Sequence, residues 1–407
     1  MVKYLGGIIV VKLAERVMKI SPSLTLAIDS KAKQMKAEGV QVFNFGVGEP
    51  DFDTPDHIKR AAVDAINKGM TRYTPAAGTL ELKQAIVNKF KEENNLEYNI
   101  SQIVVSCGAK HSLYNAFQVL LEEGDEVILP APFWVSHLEQ IKIPGAEPII
   151  VMTEEKNGFK IMPEQLEKAI TLKTKALLLN SPSNPTGGVY TEEELKTLAE
   201  VILKHDIIVI SDEIYEKLIY DGLKHVSIAS LSEELKKRTV VINGVSKAYA
   251  MTGWRIGYAA APVEIAKKMA SLQSHATSNP TSISQAASVA ALTGVQQPVE
   301  DMRKEFVKRR DYMLNRLLDI AGITCPKPGG AFYLFPNVSA YFGRAYKGKQ
   351  INNATDLATL LLDEVQVAVV PGVAFGSDDF IRLSYAASID VITEAMNRME
   401  SLFAEIK

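Results

Sequence analysis

Short apolar segments alternate with amphipathic segments along most of this chain. Each apolar segment is rich in Val, Ile and Leu and spans four or five residues, as expected of strands that are buried on both faces. These segments are IVVS (103–106), EVILP (126–130), EPIIV (147–151), ALLLN (176–180), IIVIS (207–211), TVVIN (239–243) and RIGYA (255–259). Amphipathic stretches such as TEEELKTLAEVILKHD separate most of them. The pattern predicts an α/β fold in which helices cover both faces of a largely parallel sheet.

The two ends of the chain follow a different pattern. At the start, residues 23–39 place apolar side chains at helical spacing between Ser23, a helix-capping residue, and Gly39, a helix stop. At the end, a predicted long helix at 296–318 leads into shorter strands and two more helices. This change predicts a second, smaller α/β domain. The other predicted elements are helices at 56–68 and 79–94 and short strands at 331–335, 367–370 and 380–384.

The composition is that of an ordinary globular protein whose core needs neither disulfides nor a metal. The chain has 407 residues, of which 47% are hydrophobic and 23% charged, and this length suggests two or three domains. Its two cysteines, Cys107 and Cys325, form neither a disulfide framework nor a zinc-binding CxxC spacing. We therefore expect no metal site and a reducing, cytoplasmic location.

Charge and hydropathy argue against nucleic acids and membranes as partners. Lys and Arg total 45 and Asp and Glu total 48, which gives a net charge of −3 without a basic tract. The apolar run Tyr4–Val11 is too short to span a bilayer, and no cleavage site of a signal peptide follows it. Two interpretations of this run stay open: an arm that packs on another subunit, or an artefact of the assigned start.

A lysine and an arginine lie close together after a predicted strand, in TVVINGVSKAYAMTGWRIGYA. Ser246 and Lys247 follow the strand in a glycine-containing loop, and Arg255 starts the next predicted strand. A lysine at such a place can form a Schiff base with a carbonyl compound if its surroundings lower its pKa. Ser246 and Arg255 are suited to holding a phosphate. On spacing alone, a solvated loop lysine explains the same residues.

Two further strand ends carry polar residues. Asn184 lies in the turn NSPSNPTGGVY, where its amide can meet a ligand or bond its own backbone. Asp212 ends a very apolar strand, where an unpaired carboxylate is costly, so it needs a cationic partner such as a protonated pyridine nitrogen. Tyr215 follows about one helical turn later, in reach of the same ligand. The alternative role for Asp212 is that of a helix cap.

A strand that runs through a glycine into a helix, in IVVSCGAKHSLYNAFQVLL, is a candidate anion site. The free backbone N–H groups and the dipole of a helix start attract anions. Cys107, Gly108 and Ala109 are placed to hold a phosphate there, although a turn without a ligand is the commoner outcome. Trp134, in APFWVSH, offers either a surface on which an aromatic ring can stack or a part of the core.

In this order, the motifs resemble one family closely: the class I aminotransferases of pyridoxal 5′-phosphate (PLP) fold type I. The resemblance extends over residues 13–405 and looks most like the prokaryotic-type (Ib) aspartate aminotransferases. It includes the segments FGVGEPDFDTP, RYTPAAGTLELKQAI, PFWVSH, NSPSNPTGGVY, SDEIYE, INGVSKAYAMTGWRIGY, GGAFYLF, VAVVPGVAFG and IRLSYA. It implies an N-terminal arm (1–20), a large PLP-binding domain (56–297) with a mostly parallel seven-stranded sheet, and a small α/β domain (21–55 and 298–407).

The resemblance implies how the cofactor would be held. Lys247 would bind PLP as a Schiff base and move a proton between Cα of the substrate and C4′ of the cofactor, while Asp212 would pair with the pyridine nitrogen. Tyr215 and Asn184 would hydrogen-bond the ring hydroxyl oxygen, and Trp134 would stack on the ring. The residues implied at the phosphate are Gly108, Ala109, Ser246, Arg255 and, reaching from the neighbouring subunit of a homodimer, Tyr73.

The resemblance also implies a clamp for the substrate α-carboxylate. Arg382, in IRLSYA, would bind that carboxylate through two parallel hydrogen bonds, and Gly48 and Asn184 would complete the pocket. His137 would contact Asp212 on the side away from the cofactor and hold it in place, although many Ib members carry tyrosine at that position.

A cation and two hydroxyls would select the substrate side chain. In the Ib subgroup a lysine after the phosphate-binding glycine binds the distal carboxylate, helped by a Ser/Thr pair, and the matching residues are Lys110, Ser23 and Thr25. A cation is poorly placed at a helix start without an anionic partner, which supports this role for Lys110, whereas Ser23 also serves as a helix cap. Relatives that transaminate prephenate tend to carry a basic residue where this chain has Ser21. We therefore expect aspartate and 2-oxoglutarate as substrates, with prephenate or broader aromatic substrates as the alternative.

Two other classes of function share this fold. A PLP-dependent C–S lyase would release pyruvate and ammonia from cystathionine, but Lys110 and the segment TPAAGTLEL favour transamination. A non-catalytic effector module of a regulator would carry an N-terminal DNA-binding domain, whereas here the resemblance begins near residue 13 and the catalytic residues are intact. We therefore expect an enzyme.

Overall fold

Strands and helices alternate through most of the structure, a computed structural model that describes residues 3–5, 8–10 and 13–407. The strands are β1 (Lys3–Leu5), β2 (Ile8–Val10), β3 (Phe43–Asn44), β4 (Ile103–Ser106), β5 (Glu126–Ala131), β6 (Glu147–Met152), β7 (Thr174–Asn180), β8 (Ile208–Asp212), β9 (Thr239–Gly244), β10 (Gly257–Ala260), β11 (Tyr333–Leu334), β12 (Arg344–Tyr346), β13 (Lys349–Ile351), β14 (Val367–Ala368), β15 (Val370–Pro371) and β16 (Ile381–Ser384). The α-helices are α1 (Glu15–Met18), α2 (Leu24–Ala37), α3 (Asp56–Asn67), α4 (Leu80–Asn94), α5 (Ala109–Leu120), α6 (Val135–Lys142), α7 (Pro163–Ala169), α8 (Glu192–Lys204), α9 (Glu233–Lys236), α10 (Val263–Ala276), α11 (Ser282–Thr293), α12 (Gln297–Leu318), α13 (Ala354–Val365) and α14 (Ile389–Glu405). The short hairpins β1-β2 and β12-β13 are not among the predicted elements.

The central sheet contains seven strands in the order β4-β10-β9-β8-β7-β5-β6. Strands β5 to β9 pair in parallel, whereas β10 is antiparallel to both of its neighbours, β4 and β9. This confirms the predicted fold class, including the mostly parallel seven-stranded sheet. The prediction that Arg255 starts the last strand is wrong, because Arg255 has a φ of 57° in the left-handed region and β10 begins only at Gly257.

Helices cover both faces of this sheet because successive strand residues point to opposite faces. In β5, Leu129 packs in the core that includes Phe117 of α5, whereas Ile128 packs in the core that includes Leu195 and Ile202 of α8. Residues of β7 and β8 alternate between the same two cores. The nearly continuous apolar runs of the sequence are therefore explained by burial on both sides.

A second group of strands lies outside the central sheet. β11, β16 and β15 form an antiparallel sheet, and β14 pairs in parallel with β3. The long helix α12 and the C-terminal helix α14 pack with these strands around a core that includes Phe306, Phe332 and Leu402. This arrangement matches a smaller α/β unit, while the predicted boundaries at 21–55 and 298–407 stay a prediction.

The carboxyl ends of β7, β8 and β9 lie at one edge of the central sheet. Asn180 and Asp212, the last residues of β7 and β8, are paired in register, and α5 begins at the same edge after β4. Ligands of parallel α/β sheets bind at this edge, so the fold positions the site there. Within the part of the chain that the structure describes, no helix has the length and apolarity needed to cross a bilayer.

Candidate active site

A cavity of about 430 Å³ opens at the carboxyl edge of the central sheet. Its walls come from α2, the loop after β3, the start of α5 and the ends of β7, β8 and β9. Thirteen predicted site residues line it: Ser23, Thr25, Gly48, Ala109, Lys110, Trp134, Asn184, Asp212, Tyr215, Ser246, Lys247, Arg255 and Arg382. The fold therefore brings together most of the side chains that the sequence singled out, from positions far apart in the chain.

Lys247 projects into this cavity from the loop after β9. Its Nζ donates to the carbonyl oxygen of Gly48 at 2.5 Å and lies 5.7 Å from the centroid of the Tyr215 ring. Burial lowers the pKa of its amine to about 8, against the opposing effect of the Glu49 carboxylate. About a tenth of the amine is then neutral at pH 7, where an ordinary lysine is almost entirely protonated. Lys247 is therefore suited to attack a carbonyl carbon.

Asp212 ends β8 with only 3% of its surface exposed. Its Oδ2 lies 3.0 Å from Nε2 of His137, and its Oδ1 accepts from the backbone N–H of Ile214 at 3.3 Å. The contact expected between His137 and Asp212 is thus present in the structure. No lysine or arginine among the described residues forms an ion pair with this carboxylate. The cavity side of Asp212 is therefore open to a cationic group of a ligand.

Arg382 is a buried cation whose hydrogen-bond partners are all neutral. Its Nη1 donates to Oδ1 of Asn184 at 3.0 Å, and its Nη2 donates to the carbonyl oxygen of Gly46 at 2.7 Å. Its Nε has no partner among the described residues, and none of their carboxylates forms an ion pair with it. Burial lowers the pKa of this guanidinium. A buried charge without a counter-charge attracts an anionic ligand, such as a carboxylate.

The start of α5 faces the cavity and is a candidate anion site. Ala109 lines the cavity, and the first N–H groups of a helix have no partner within the helix. A Cβ at Gly257 would overlap the backbone nitrogen of Ala109, and a Cβ at Gly108 would overlap the guanidinium of Arg255. Gly108 also has a φ of 92°, which residues with a side chain rarely adopt. Gly108 thus lets Arg255 approach the start of α5, and Gly257 lets the backbone of β10 pack against it.

Ser246 and Arg255 add a hydroxyl and a guanidinium to this anion site. Arg255 is oriented by two backbone carbonyls, those of Thr252 at 2.8 Å and Cys107 at 3.3 Å. The backbone N–H of Cys107 donates to Nδ1 of His111 at 3.3 Å, and its side chain is not part of the cavity lining. Of the predicted phosphate-binding set, Cys107 therefore contributes only backbone contacts.

Aromatic rings also line the cavity: those of Trp134, Tyr215 and Tyr333. The hydroxyl of Tyr215 lies 2.8 Å from that of Tyr333, and burial holds the pKa of Tyr215 well above its usual value, so it stays protonated. Trp134 lines the cavity with the ammonium of Lys110 4.8 Å from the centroid of its ring. Desolvation and the positive charge of Arg255 lower the pKa of Lys110. Lys110 is therefore a second cation of the cavity, besides Arg382, that forms no ion pair with a carboxylate of the described residues.

Ser23 and Thr25 lie across the cavity at the start of α2. Their hydroxyls are 2.8 Å apart, and Oγ of Ser23 also accepts from the backbone N–H of Leu26 at 3.5 Å. Ser23 thus caps the helix and lines the cavity at the same time, so the two roles considered for it are compatible.

Tyr73 is the predicted site residue that lies away from the others. Its side chain is 92% exposed, and it lines a separate open cavity together with Arg72, Thr277 and Asn279. Within a single chain the structure does not bring Tyr73 to the proposed phosphate site.

Further residues that were not predicted as site residues also line the main cavity. Those with a charged, amide or phenol side chain are Asp29, Lys33, Glu49, Asn180 and Tyr333. Asp29 and Lys33 follow Thr25 at intervals of four, so helical spacing alone would have placed them on its face. Asn180 bridges two predicted residues, because its Oδ1 accepts from the backbone of Asn184 at 2.9 Å and its Nδ2 donates to the backbone carbonyl of Asp212 at 3.0 Å.

The charges of the cavity are unbalanced in favour of cations. The cationic residues are Lys33, Lys110, Lys247, Arg255 and Arg382. The carboxylates are Asp29, Glu49 and Asp212. The site is therefore built for a ligand with several negative charges.

Comparisons with known proteins identify the class of enzyme to which this site belongs. The sequence matches the model of the family described as aminotransferase class I and II over residues 40–399. The aspartate aminotransferase of Bacillus subtilis (strain 168) is 54% identical over 389 residues, which cover 96% of this chain and 98% of that protein. The aspartate/prephenate aminotransferase of Nitrosomonas europaea is 47% identical, with 97% of this chain and 100% of that protein covered.

A solved structure gives the same result for the fold. The crystal structure of the aspartate aminotransferase from Rhizobium meliloti matches with a TM-score of 0.95 at 46% identity, and the match covers 98% of this chain and 100% of that chain. The chain therefore belongs to the class I and II aminotransferases, a family of PLP-dependent enzymes.

The residues of the cavity fit PLP by the chemistry of their donors. The start of α5, Ser246 and Arg255 suit a phosphate, the uncharged fraction of Lys247 suits an aldehyde, and the open carboxylate of Asp212 suits a protonated ring nitrogen. The face of Trp134 suits a flat ring. The tight packing at Gly108 and Gly257 leaves no space for side chains at the phosphate end.

Proposed function

We propose that this chain transfers the amino group of L-aspartate to 2-oxoglutarate, giving oxaloacetate and L-glutamate. The observation that carries the proposal is the presence of Lys247 and Arg382 in one cavity: a reactive amine together with a buried cation that has only neutral partners. The amine suits a carbonyl group and the cation suits a carboxylate, so the pair fits an α-amino acid. The names of the relatives support aspartate as that amino acid.

Each side chain around the cofactor site has a separate role in the proposed reaction. PLP, when bound, supplies an aldehyde and a ring that accepts the electron pair released at the substrate Cα. Lys247 would hold the cofactor at its aldehyde carbon, and the same amine is placed to take the proton from Cα of the substrate. Asp212 would keep the ring nitrogen protonated, and Tyr215 would donate to the ring hydroxyl oxygen. Trp134 fixes the plane of the ring by stacking.

The substrate is held at both of its carboxylates. Arg382, oriented by Asn184, binds the α-carboxylate. Lys110 and the hydroxyls of Ser23 and Thr25 bind the distal carboxylate. Because 2-oxoglutarate has the same two charged ends, the same groups accept it in the second half of a ping-pong cycle, after oxaloacetate has left.

The proposal includes a homodimer with shared sites. Tyr73 is 92% exposed and lies outside the cavity of its own subunit, as expected of a residue that completes the phosphate site of a second copy. Sedimentation of the purified protein at twice the mass of one chain would agree with this, and a monomer with full activity would contradict it.

Two further expectations belong to the same proposal. One is the division into an arm (1–20), a large domain (56–297) and a small domain (21–55 and 298–407), in which Arg382 and the Ser23–Thr25 pair come from the small domain and Lys247 from the large one. The other is a cytoplasmic location, where both amino acids and both oxo acids are available.

The first half of the reaction tests the function without an acceptor. L-Aspartate mixed with the PLP-loaded protein should convert the visible absorbance of the lysine-bound cofactor to that of its aminated form, with one oxaloacetate released per site. L-Asparagine, which has the same shape without the distal charge, serves as the matched control and should react about 10²-fold more slowly. Absence of conversion with every dicarboxylic amino acid would contradict the proposal, and release of pyruvate from cystathionine at a comparable rate would favour a lyase.

Prephenate is the second candidate substrate. The name of the Nitrosomonas europaea relative supports it, whereas Ser21, an exposed serine whose backbone N–H donates to Glu139, provides no cation where prephenate users tend to have one. Rates with prephenate and 2-oxoglutarate as competing acceptors, with L-aspartate as the donor, would rank the two.

A further inference from the structure

Tyr333 lies in the wall of the cavity between Arg382 and Tyr215. It is fully buried and pairs with Ser384 across β11 and β16. Arg382 lies two residues before Ser384 on β16 and therefore projects from the same face of the sheet as Tyr333. The ring of Tyr333 lies 4.5 Å from Cζ of Arg382, and its hydroxyl lies 2.8 Å from that of Tyr215. One residue thus contacts both the proposed carboxylate clamp and the proposed donor to the cofactor.

A third contact encloses the hydroxyl of Tyr333. A Cβ added at Gly48 would lie 2.9 Å from this oxygen, so the loop that contains Gly48 packs directly against it. The carbonyl oxygen of the same glycine accepts the hydrogen bond from Lys247. The hydroxyl of Tyr333 thus lies between this loop and Tyr215, and its hydrogen-bond partner is the hydroxyl of Tyr215. This hydrogen bond holds both rings in place.

The proposed function gives the hydrogen bond between the two tyrosines one direction. On geometry alone, either hydroxyl can be the donor. When the hydrogen of Tyr215 points into the cavity toward the cofactor ring, the oxygen of Tyr215 is left to accept, so Tyr333 donates to it.

The geometry points to Tyr333 as a positioning residue for both ends of the site: its hydroxyl orients Tyr215 toward the cofactor ring, and its ring supports Arg382 for the substrate carboxylate. The inference rests on the proposed function, because both of these partners act there. It also gives glycine at position 48 a reason, because a Cβ there would lie 2.9 Å from the Tyr333 hydroxyl and press against it.

Two substitutions separate the two contributions of Tyr333. Tyr333→Phe removes the hydroxyl and keeps the ring, so the pKa at which the visible absorbance of the PLP-loaded protein titrates should rise by about half a unit, because Tyr215 becomes a weaker donor. The affinity for a dicarboxylate inhibitor should then stay within about twofold. Tyr333→Leu also removes the ring, and the affinity for that inhibitor and the KM for aspartate should each weaken about tenfold.

A buried tyrosine outside the cavity provides the matched control. The hydroxyl of Tyr385 donates to a backbone carbonyl, that of Ala331, at 3.1 Å, and Tyr385→Phe should change neither the titration nor the affinity. An unchanged or lowered titration pKa in Tyr333→Phe would overturn the role of the hydroxyl even if Tyr333→Leu does not fold. The wild-type protein is measured first: failure to form any titrating band with PLP would refute the proposed function and this inference together, whereas a wild-type band that Tyr333→Phe reproduces would refute only this inference.

Discussion

Two arginines in the interior of this protein have the same kind of aromatic neighbour. Arg310, on α12, is fully buried with its guanidinium 4.9 Å from the ring of Tyr220. Arg382, on β16, is 2% exposed with its guanidinium 4.5 Å from the ring of Tyr333. Burial and stacking are therefore nearly equal at the two positions, and the difference between them lies in the charges around them.

Arg310 has counter-charges within the protein and Arg382 does not. Arg310 forms ion pairs with Asp221 at 2.9 Å and Asp311 at 2.8 Å, which outweigh burial and raise its pKa. Arg382 bonds only to the Asn184 amide and a backbone carbonyl, and burial lowers its pKa. The same side chain is thus satisfied in one region and left without an anion in the other.

Two lysines repeat the contrast. Lys89, on α4, is 2% exposed in its side chain, pairs with the carboxylate of Glu216 and donates to Asn94 at 2.7 Å. Lys247 donates only to a backbone carbonyl, that of Gly48. A buried charge that lacks a partner costs several kcal/mol, which evolution tolerates where a ligand provides the missing partner. Incomplete charge pairing, rather than burial alone, therefore distinguishes the candidate ligand site from the rest of the interior.

The largest expected effect comes from removing the reactive amine. Lys247→Ala should lower turnover with aspartate by about 10⁴-fold or more, because the same amine anchors the cofactor and moves the proton. The variant should still bind PLP noncovalently through the phosphate site, which equilibrium dialysis measures. Turnover near that of the wild type would show that another group does this chemistry.

The two arginines should respond to substitution in opposite ways. Arg382→Met should lower kcat/KM for aspartate about 10³-fold and change the unfolding free energy of the apoprotein by less than about 1 kcal/mol, because it removes an uncompensated charge. Arg310→Met, the matched control, should lower the unfolding free energy by about 2 kcal/mol, since its two partner aspartates are partly exposed, and change kcat/KM only a few-fold. Denaturant titration and steady-state kinetics on both variants test this contrast. Equal losses of unfolding free energy in Arg382→Met and Arg310→Met would contradict it.

Breaking the paired lysine should affect stability rather than chemistry. Lys89→Met leaves Glu216 buried without its cation and should lower the unfolding free energy by about 3 kcal/mol at pH 7. Lys91→Met, on the same helix, removes an exposed ion pair with Glu97 and should have no measurable effect on the unfolding free energy. A loss of equal size in both variants would mean that helix α4, and not the buried pair, is the sensitive element.

The same pair predicts how stability depends on pH. Burial alone would raise the pKa of Glu216, but Lys89 and His225 outweigh burial and lower it to about 2, from the usual 4.5. The pair therefore stabilises the fold fully above pH 4.5, and its contribution is lost as the pH falls toward 2. The difference in unfolding free energy between the wild type and Lys89→Met should narrow over that range.

The smallest expected effect is a change of rate with pH. Because only the neutral amine attacks an aldehyde, the rate at which PLP adds to the apoprotein should rise about tenfold per pH unit below a pH of about 8 and level off above it. Stopped-flow absorbance measures this rate. The control is free lysine with its α-amino group blocked, whose rate should keep rising to higher pH. A midpoint equal to that of the free lysine would contradict the lowered pKa of Lys247.

The apolar pattern of the sequence predicted the part of the site that parallel strands supply. Asp212 and Lys247 each follow an apolar run, and parallel strands must end at one edge, so their proximity follows from local patterns. Arg382 lies on a strand outside the central sheet, and only the family resemblance connected it to them. The role proposed for Tyr333 depends on the register of β11 with β16, which no local pattern contains.

The paired interior charges could not be predicted for a similar reason. Lys89 lies on α4 and Glu216 in the turn after β8, far apart in the chain, and in the sequence each alone is typical of a solvated residue. Asn180 stands at a strand end like Asp212, but its two hydrogen bonds to the backbone of the site appear only in the folded structure. Local periodicity thus defines the elements, while the pairing of charges is a property of the tertiary structure.

Lys247 is proposed as the residue that binds the cofactor covalently. Borohydride reduction of the PLP-loaded protein, followed by digestion and peptide mass spectrometry, tests this most directly, because reduction makes the carbon–nitrogen bond permanent. We expect one pyridoxyl group per chain, on Lys247, with Lys110 unmodified although it lies in the same cavity. A pyridoxyl group on Lys110 or another lysine, or none despite bound PLP, would contradict it.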